Sequence, residues 1–219
     1  FEKFINIFLR KMQTQLDFNA IVAMSHYNNG IGIKNSLPWH LPEDTEYYKR
    51  VVSTRRDPSK LNAAIIGKLT WFSIPENELP FKSCLNIIIT TSLSLDQIPA
   101  RNEENKDLIL TARSLDEAKK IIFEKYSDRI ETIWSLGGAG LYKEAFESKD
   151  FNKLFLTRVY ANVECDAFLR PNNFLENFVK LENNQLENEK ELYKTEFNRV
   201  KKDSNSGIEY VFEVYSKIK

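Results

Sequence analysis

The sequence predicts an α/β fold, a single domain whose sheet is parallel through its first half and closes with an antiparallel hairpin. Three features carry that expectation. Short apolar runs of the kind buried on both faces of a sheet alternate with helical segments. Ser114 with Glu117 three residues on reads as a capping box opening one of those helices. Near the C-terminus, Asp203-Ser204-Asn205-Ser206-Gly207 separates two strand-like runs, as a hairpin turn does.

Residues 1–16 read as an N-terminal extension and 17–219 as the domain. In the extension, Phe4, Ile5, Ile7, Phe8 and Leu9 alternate with Lys3, Arg10 and Lys11, a run too short and interrupted for a signal peptide. Glu2 weakens a mitochondrial presequence, and Met12 is a candidate start. Ala20 to Met24 is the first buried strand. Glu43 to Val52 follows as a helix, with Tyr47, Tyr48, Val51 and Val52 at helical spacing. Ala63 to Ile66, Leu85 to Ile89 and Leu108 to Leu110 read as strands, and Ser114 to Tyr126 as a helix. Ile130 to Leu136 is expected as a strand, Gly138 to Phe146 as a helix and Lys153 to Ala161 as a strand. The Asn- and Glu-rich stretch Asn172 to Lys190 reads as a surface excursion, and Glu191 to Val200 and Ile208 to Tyr215 as the arms of the hairpin.

Composition narrows the function. The 31 basic and 31 acidic residues among 219 cancel, which argues against recruitment of nucleic acid or anionic membrane by bulk charge. Two cysteines, Cys84 and Cys165, cannot staple a secreted domain, so reduced thiols in the cytoplasm are expected. No apolar run approaches the roughly 20 residues that span a bilayer. Only seven glycines occur, so each is expected where the backbone requires it.

Three places could hold chemistry. Gly137-Gly138-Ala139-Gly140 follows a strand and opens a helix, so its amides and the helix dipole either cradle a phosphate pair or simply allow tight packing. Gly67-Lys68-Leu69-Thr70 offers a cation and a hydroxyl at another strand end, or an ordinary turn. Asp44 heads the stripe Tyr47, Tyr48, Val51, Val52 and so points toward the core. A buried carboxylate with no cation beside it is paired by a ligand or titrates upward, although acids in a first helical turn also serve the dipole. Trp39, in the proline-bounded loop Leu37 to Pro42, is the tryptophan expected to line a cavity. His26 and His40 are isolated, and neither a metal site nor a nucleophilic triad is expected.

Together these residues resemble the dihydrofolate reductase family. The ordered matches are Ala20-Ile21-Val22-Ala23, Gly30-Ile31-Gly32, Leu37-Pro38-Trp39, Asp44, Ile66 through Pro75, Gly137-Gly138 with Tyr142, and Leu156-Thr157-Arg158. Glu164-Cys165-Asp166 and Gly207 through Tyr215 complete the series. The resemblance implies an eight-stranded, mostly parallel sheet with flanking helices, NADPH as hydride donor and 7,8-dihydrofolate as acceptor.

It also implies the site. Asp44, Thr157 and Trp39 would be catalytic. Asp44 would hold the pterin 2-amino group and ring nitrogen and favour protonation of N5 through water while hydride reaches C6. The substrate would meet Ile21, Val22, Ala23, Tyr48, Lys49, Ile74, Phe81, Leu136 and Tyr142. The cofactor would meet Ala23, Gly30, Ile31, Gly32, Ser36, Leu37, Gly67, Lys68, Leu69, Thr70, Thr90, Thr91, Ser92, Arg113, Gly137, Gly138, Ala139, Gly140, Leu141 and Tyr142. Gly137-Gly138 would join through a cis peptide, and Gly30 to Trp39 would be a mobile loop that closes and excludes water.

Two departures stand out. The family commonly has a second basic residue where this chain has Leu69 and often an arginine where it has Thr91, so preference for NADPH rests on Lys68 and Arg113. Its near-constant Gly-Arg is replaced by Ser83-Cys84, which removes the arginine that pairs with the substrate's glutamate carboxylate. Such a loss is expected to cost about 2–4 kcal/mol of affinity. The alternatives are a reductase of a pterin or flavin precursor without a glutamate tail, or a non-catalytic cofactor- or folate-binding relative. A monomer with a small-molecule substrate and no nucleic-acid or membrane partner is expected.

Overall fold

The computed structural model describes residues 16–218. The expected extension therefore lies outside the described residues except for Leu16, which is buried in the core. The sheet is built from β1 (Asp17–Ser25), β3 (Leu61–Gly67), β4 (Cys84–Ile89), β5 (Ile109–Ala112), β6 (Ile130–Ser135), β7 (Phe151–Tyr160), β9 (Phe178–Lys180), β10 (Val200–Lys202) and β11 (Glu209–Lys217). Their order across the sheet is β10-β11-β7-β1-β6-β3-β4-β5, with β9 also paired to β11. The pairings from β7 through β5 are parallel, and those of β11 with β7, β9 and β10 are antiparallel. Eight strands thus lie in line. The ninth, β9, pairs with β11 at Tyr215–Lys217, beyond the stretch Glu209–Val211 held by β10. A separate two-stranded ribbon joins β2 (Gly30–Gly32) to β8 (Ala167–Phe168).

Helices cover both faces, which is why the parallel strands read as continuous apolar runs. In β1, Phe18, Ala20, Val22 and Met24 point to one core and Ile21 to the other. The first core is closed by α3 (Leu115–Lys125) and α4 (Ala139–Glu147) through Leu115, Ala118, Ile122, Leu141, Ala145 and Phe146. The second is closed by α1 (Pro42–Ser53) and α2 (Lys68–Ser73) through Tyr47, Val51, Val52 and Trp71. Among the described residues no helix is long and apolar enough to cross a membrane.

Four expectations need correction. The short strand predicted at Leu108 begins one residue later and runs to Ala112, because Leu108 closes a 3-10 turn. Ser114 does cap α3, its hydroxyl accepting from the Glu117 amide at 3.2 Å, but the pair is not reciprocal. The Glu117 carboxylate accepts instead from the Arg113 amide at 2.7 Å. The stretch Glu191 to Val200 is not a strand. Its first residues finish α5 (Glu187–Tyr193), whose acidic first turn suits the dipole, and only Val200–Lys202 pairs with β11. The segment from Asn172 is not merely a surface excursion either, since Phe174, Phe178 and Leu186 are buried.

Candidate active site

A cavity of about 540 Å³ opens at the carboxyl ends of β1 and β6, where ligands of open parallel sheets bind. Its walls come from Ile21, Val22 and Ala23 of β1, the loop from Ile31 to Leu41, one face of α1, the segment Thr70 to Phe81, the diglycine turn with Tyr142, and Thr157 of β7. Leu41, Asp44, Thr45, Tyr48 and Lys49 reach it from α1 because spacings of three, four, seven and eight share one helical face.

Asp44 lies at the closed end, 7% exposed. Its Oδ1 accepts a hydrogen bond from the Thr157 hydroxyl at 2.6 Å, and no cation pairs with it among the described residues. Burial raises its pKa to about 6; the Thr157 hydrogen bond opposes this and the Glu43 charge adds to it. The carboxylate is therefore under-compensated, with capacity to accept from a ligand donor. Trp39 stands on the same wall, buried, and its indole Nε1 has no partner among the described residues. Three residues on from Asp44, the buried Tyr47 hydroxyl likewise has none among them.

The diglycine turn is fixed by its neighbours. Gly137-Gly138 is joined by a cis peptide, and Gly137 has φ +85°. A Cβ on Gly137 would run into the Tyr142 ring, which is held in place by a 2.7 Å hydrogen bond from its hydroxyl to the Ile21 carbonyl. The Gly67 amide donates to the Gly137 carbonyl at 2.6 Å, tying β3 to the turn. The Gly30 to Trp39 loop is clipped at its base, with β2 paired to β8 and the Lys34 amide donating to Asp166 at 2.8 Å. A Cβ on Gly30 would meet the Cys165 thiol.

The remaining residues expected to hold a cofactor follow the same edge of the sheet. Gly67 ends β3 and Lys68, Leu69 and Thr70 follow it, Thr90, Thr91 and Ser92 follow β4, Arg113 follows β5, and Gly137 to Leu141 follow β6, four adjacent strands. Of these, Thr70, Gly138 and Ala139 touch the cavity; the others lie beyond its wall. Lys68 donates to Ser92 Oγ at 3.0 Å, joining two of the strand ends. Neither Lys68 nor Arg113 is in an ion pair among the described residues.

The N-terminus of α4 is bare: Gly138 gives no side-chain cap, no acid stands in the first turn, and a Cβ on Gly140 would meet nothing within 4 Å. By contrast α3 is capped by Ser114 and carries Asp116 and Glu117. These donors, an open helix N-terminus and unpaired cations, suit a dinucleotide's phosphates. Three expected contacts are less direct. The Thr90 hydroxyl accepts from the Ser92 and Leu93 amides at 3.2 Å each, Leu69 is exposed, and Leu141 is packed in the core.

The departures at the far end also take shape. Ser83 has φ +61°, the left-handed region where glycine is at ease. Cys84 is fully buried and off the cavity wall, its thiol 3.5 Å from the Val52 carbonyl and pushed up to about 12 by burial. Lys49 and Phe81 reach the cavity. Among the wall residues that sequence reasoning did not assign to the site are Thr45, Ser73, Glu78 and Asp166. Thr45 was within reach of the α1 periodicity, whereas Glu78 stands in a 3-10 turn that no spacing announces.

Comparison with known proteins agrees with this architecture. A sequence profile described as dihydrofolate reductase matches residues 17–202. A dihydrofolate reductase of Aedes albopictus is 32% identical over 202 residues, covering 92% of this chain and 97% of its own. That of Sus scrofa is 34% identical over 203 residues, with coverages of 91% and 97%. The solved structure of Schistosoma mansoni dihydrofolate reductase superposes with a TM-score of 0.72 at 25% identity, covering 94% of this chain and all of that one.

Proposed function

The chain belongs to the dihydrofolate reductase family, and from that premise we propose that it reduces 7,8-dihydrofolate to tetrahydrofolate with NADPH as donor and Asp44 as the group that binds and polarises the pterin. The observation that carries the reading is the Asp44 carboxylate. It is buried at the closed end of the cavity, bonded to Thr157 and matched by no cation among the described residues. A ring presenting an amino group and an N–H side by side satisfies both its oxygens, the bidentate arrangement that charge-assisted hydrogen bonds favour.

When bound, NADPH supplies the hydride. Lys68, Thr70, Arg113 and the bare amides at the start of α4 would hold its phosphates, and the two cations would favour the additional phosphate that distinguishes it from NADH. Thr157 fixes the Asp44 carboxylate, and Asp44 fixes the ring by its 2-amino edge. The negative charge of Asp44 beside the ring would make N5 more basic and so favour its protonation through water. Ile21, Val22, Leu136 and Tyr142 keep the reacting faces dry, which strengthens that electrostatic effect. We further propose that the enzyme is cytoplasmic and acts as a monomer; both of its cysteines are free.

The test is consumption of NADPH on adding dihydrofolate, with tetrahydrofolate identified as product. We expect turnover with NADPH and a KM for NADH at least tenfold higher. Absence of turnover with either donor refutes the reading, and equal use of both refutes the role given to Lys68 and Arg113.

A further inference from the structure

Reduction of the pterin ring engages the closed end of the cavity; the outer end carries an ion pair that this chemistry does not use. Lys49 is the one lysine or arginine on the cavity wall among the described residues, against three carboxylates, Asp44, Glu78 and Asp166. It is also already engaged. Its Nζ lies 3.3 Å from Glu78 Oε2 and 3.7 Å from Glu46 Oε1. The Lys49–Glu78 pair joins two walls, since Lys49 is on α1 and Glu78 ends the turn Glu76–Glu78 that follows α2. Five residues beyond Asp44, Lys49 stands about 7 Å further along the helix axis, on the way out of the cavity. Both side chains are about one-third exposed, so the pair is solvated enough to exchange partners.

We propose that Lys49 and Glu78 form an exchangeable latch that sets how far the enzyme distinguishes dihydrofolate from pterins without an anionic tail. The inference rests on dihydrofolate being a substrate. A carboxylate-bearing tail entering this end meets a Lys49 already shared between Glu78 and Glu46, so close pairing with it displaces Glu78, the nearer partner. The exchange trades one ion pair for another and leaves Glu78 facing a like charge. The tail therefore adds little to affinity, and Glu78 is the residue that makes it so. With Cys84 buried away from the cavity, that position supplies no charge to offset the repulsion.

The experiment compares kcat/KM for dihydrofolate with kcat/KM for 6-methyl-7,8-dihydropterin at low ionic strength. A ratio of the two is independent of the folded fraction, so a change in stability cannot imitate the effect. Glu78→Gln keeps the size and removes the charge. It raises the ratio about two- to fivefold, the range of a partly exposed ion pair. Added salt narrows the gap between variant and wild type. Lys49→Met lowers the ratio. An unchanged or lower ratio in Glu78→Gln overturns the latch, because a merely structural Glu78 would move both substrates together. If wild type reduces neither substrate, the assignment of the reaction fails instead.

Discussion

The two ends of one cavity follow different physics. At the closed end, Asp44, Thr157 and Tyr142 are buried, each on a different element, and are fixed by hydrogen bonds of 2.6 and 2.7 Å. At the outer end, Lys49 and Glu78 are partly solvated and meet at 3.3 Å, while Ser83 and Cys84 stand where the resemblance implies glycine and arginine. Charges in the low-dielectric end act strongly and tolerate little change. Those at the solvated end are worth little singly, so replacements there shift substrate preference without reaching the chemistry. On the proposed function, catalysis and tail recognition would be separable in this chain.

Changes at the closed end should be the costly ones. Gly137→Ala places a side chain at φ +85° and drives a methyl into the Tyr142 ring. Left-handed strain and overpacking together should destabilise by about 2–5 kcal/mol, read by urea denaturation. A loss below 1 kcal/mol would mean that the turn relaxes and is not fixed.

Asp44 provides a prediction of opposite sign. Its pKa is raised in the folded state to about 6, so the native protein binds more protons than the unfolded chain between the ordinary carboxylate range and pH 6. This group therefore reduces stability as pH rises through that window. Asp44→Asn should be more stable than wild type at pH 7 by about 1–2 kcal/mol, with the gain gone below pH 4. An Asp44→Asn protein less stable at both pH values would show that the carboxylate is better compensated than its surroundings indicate.

Thr157→Val removes the one side-chain donor to Asp44 among the described residues. The pKa of Asp44 should rise further, and kcat/KM for dihydrofolate should drop about tenfold, the value of one hydrogen bond to a charged group. An effect on KM for NADPH alone would place Thr157 elsewhere in the reaction. At the outer end, Ser83→Gly relieves a left-handed serine and should stabilise by about 1 kcal/mol without altering turnover. If turnover fell as well, the two ends would be coupled after all.

Most of the sheet was legible because its strands are buried on both faces and read as apolar runs, and Asp44 because it shares the stripe of Tyr47 and Val51. The stretch from Glu191 to Val200 misled because its apolar residues, Leu192, Tyr193 and Phe197, are spaced closely enough to suggest a strand. The acidic first turn of α5 and its docking on α1, through Arg50 Nε to the Tyr193 carbonyl at 2.8 Å, decided otherwise. Within the site, residues on regular elements could be placed by periodicity. Glu78 could not, since its meeting with Lys49 joins positions 29 apart through an irregular turn. The order of strands β6, β3, β4 and β5 brings Gly137, Lys68, Ser92 and Arg113 to one edge, and no local pattern conveys that order.

The most direct test of the central claim is single-turnover reduction of dihydrofolate by Asp44→Asn saturated with NADPH. If the buried carboxylate orients and polarises the pterin, the rate falls by about a hundredfold or more, the range of a positioned acid–base or charge-stabilising group. A rate within threefold of wild type would contradict the account.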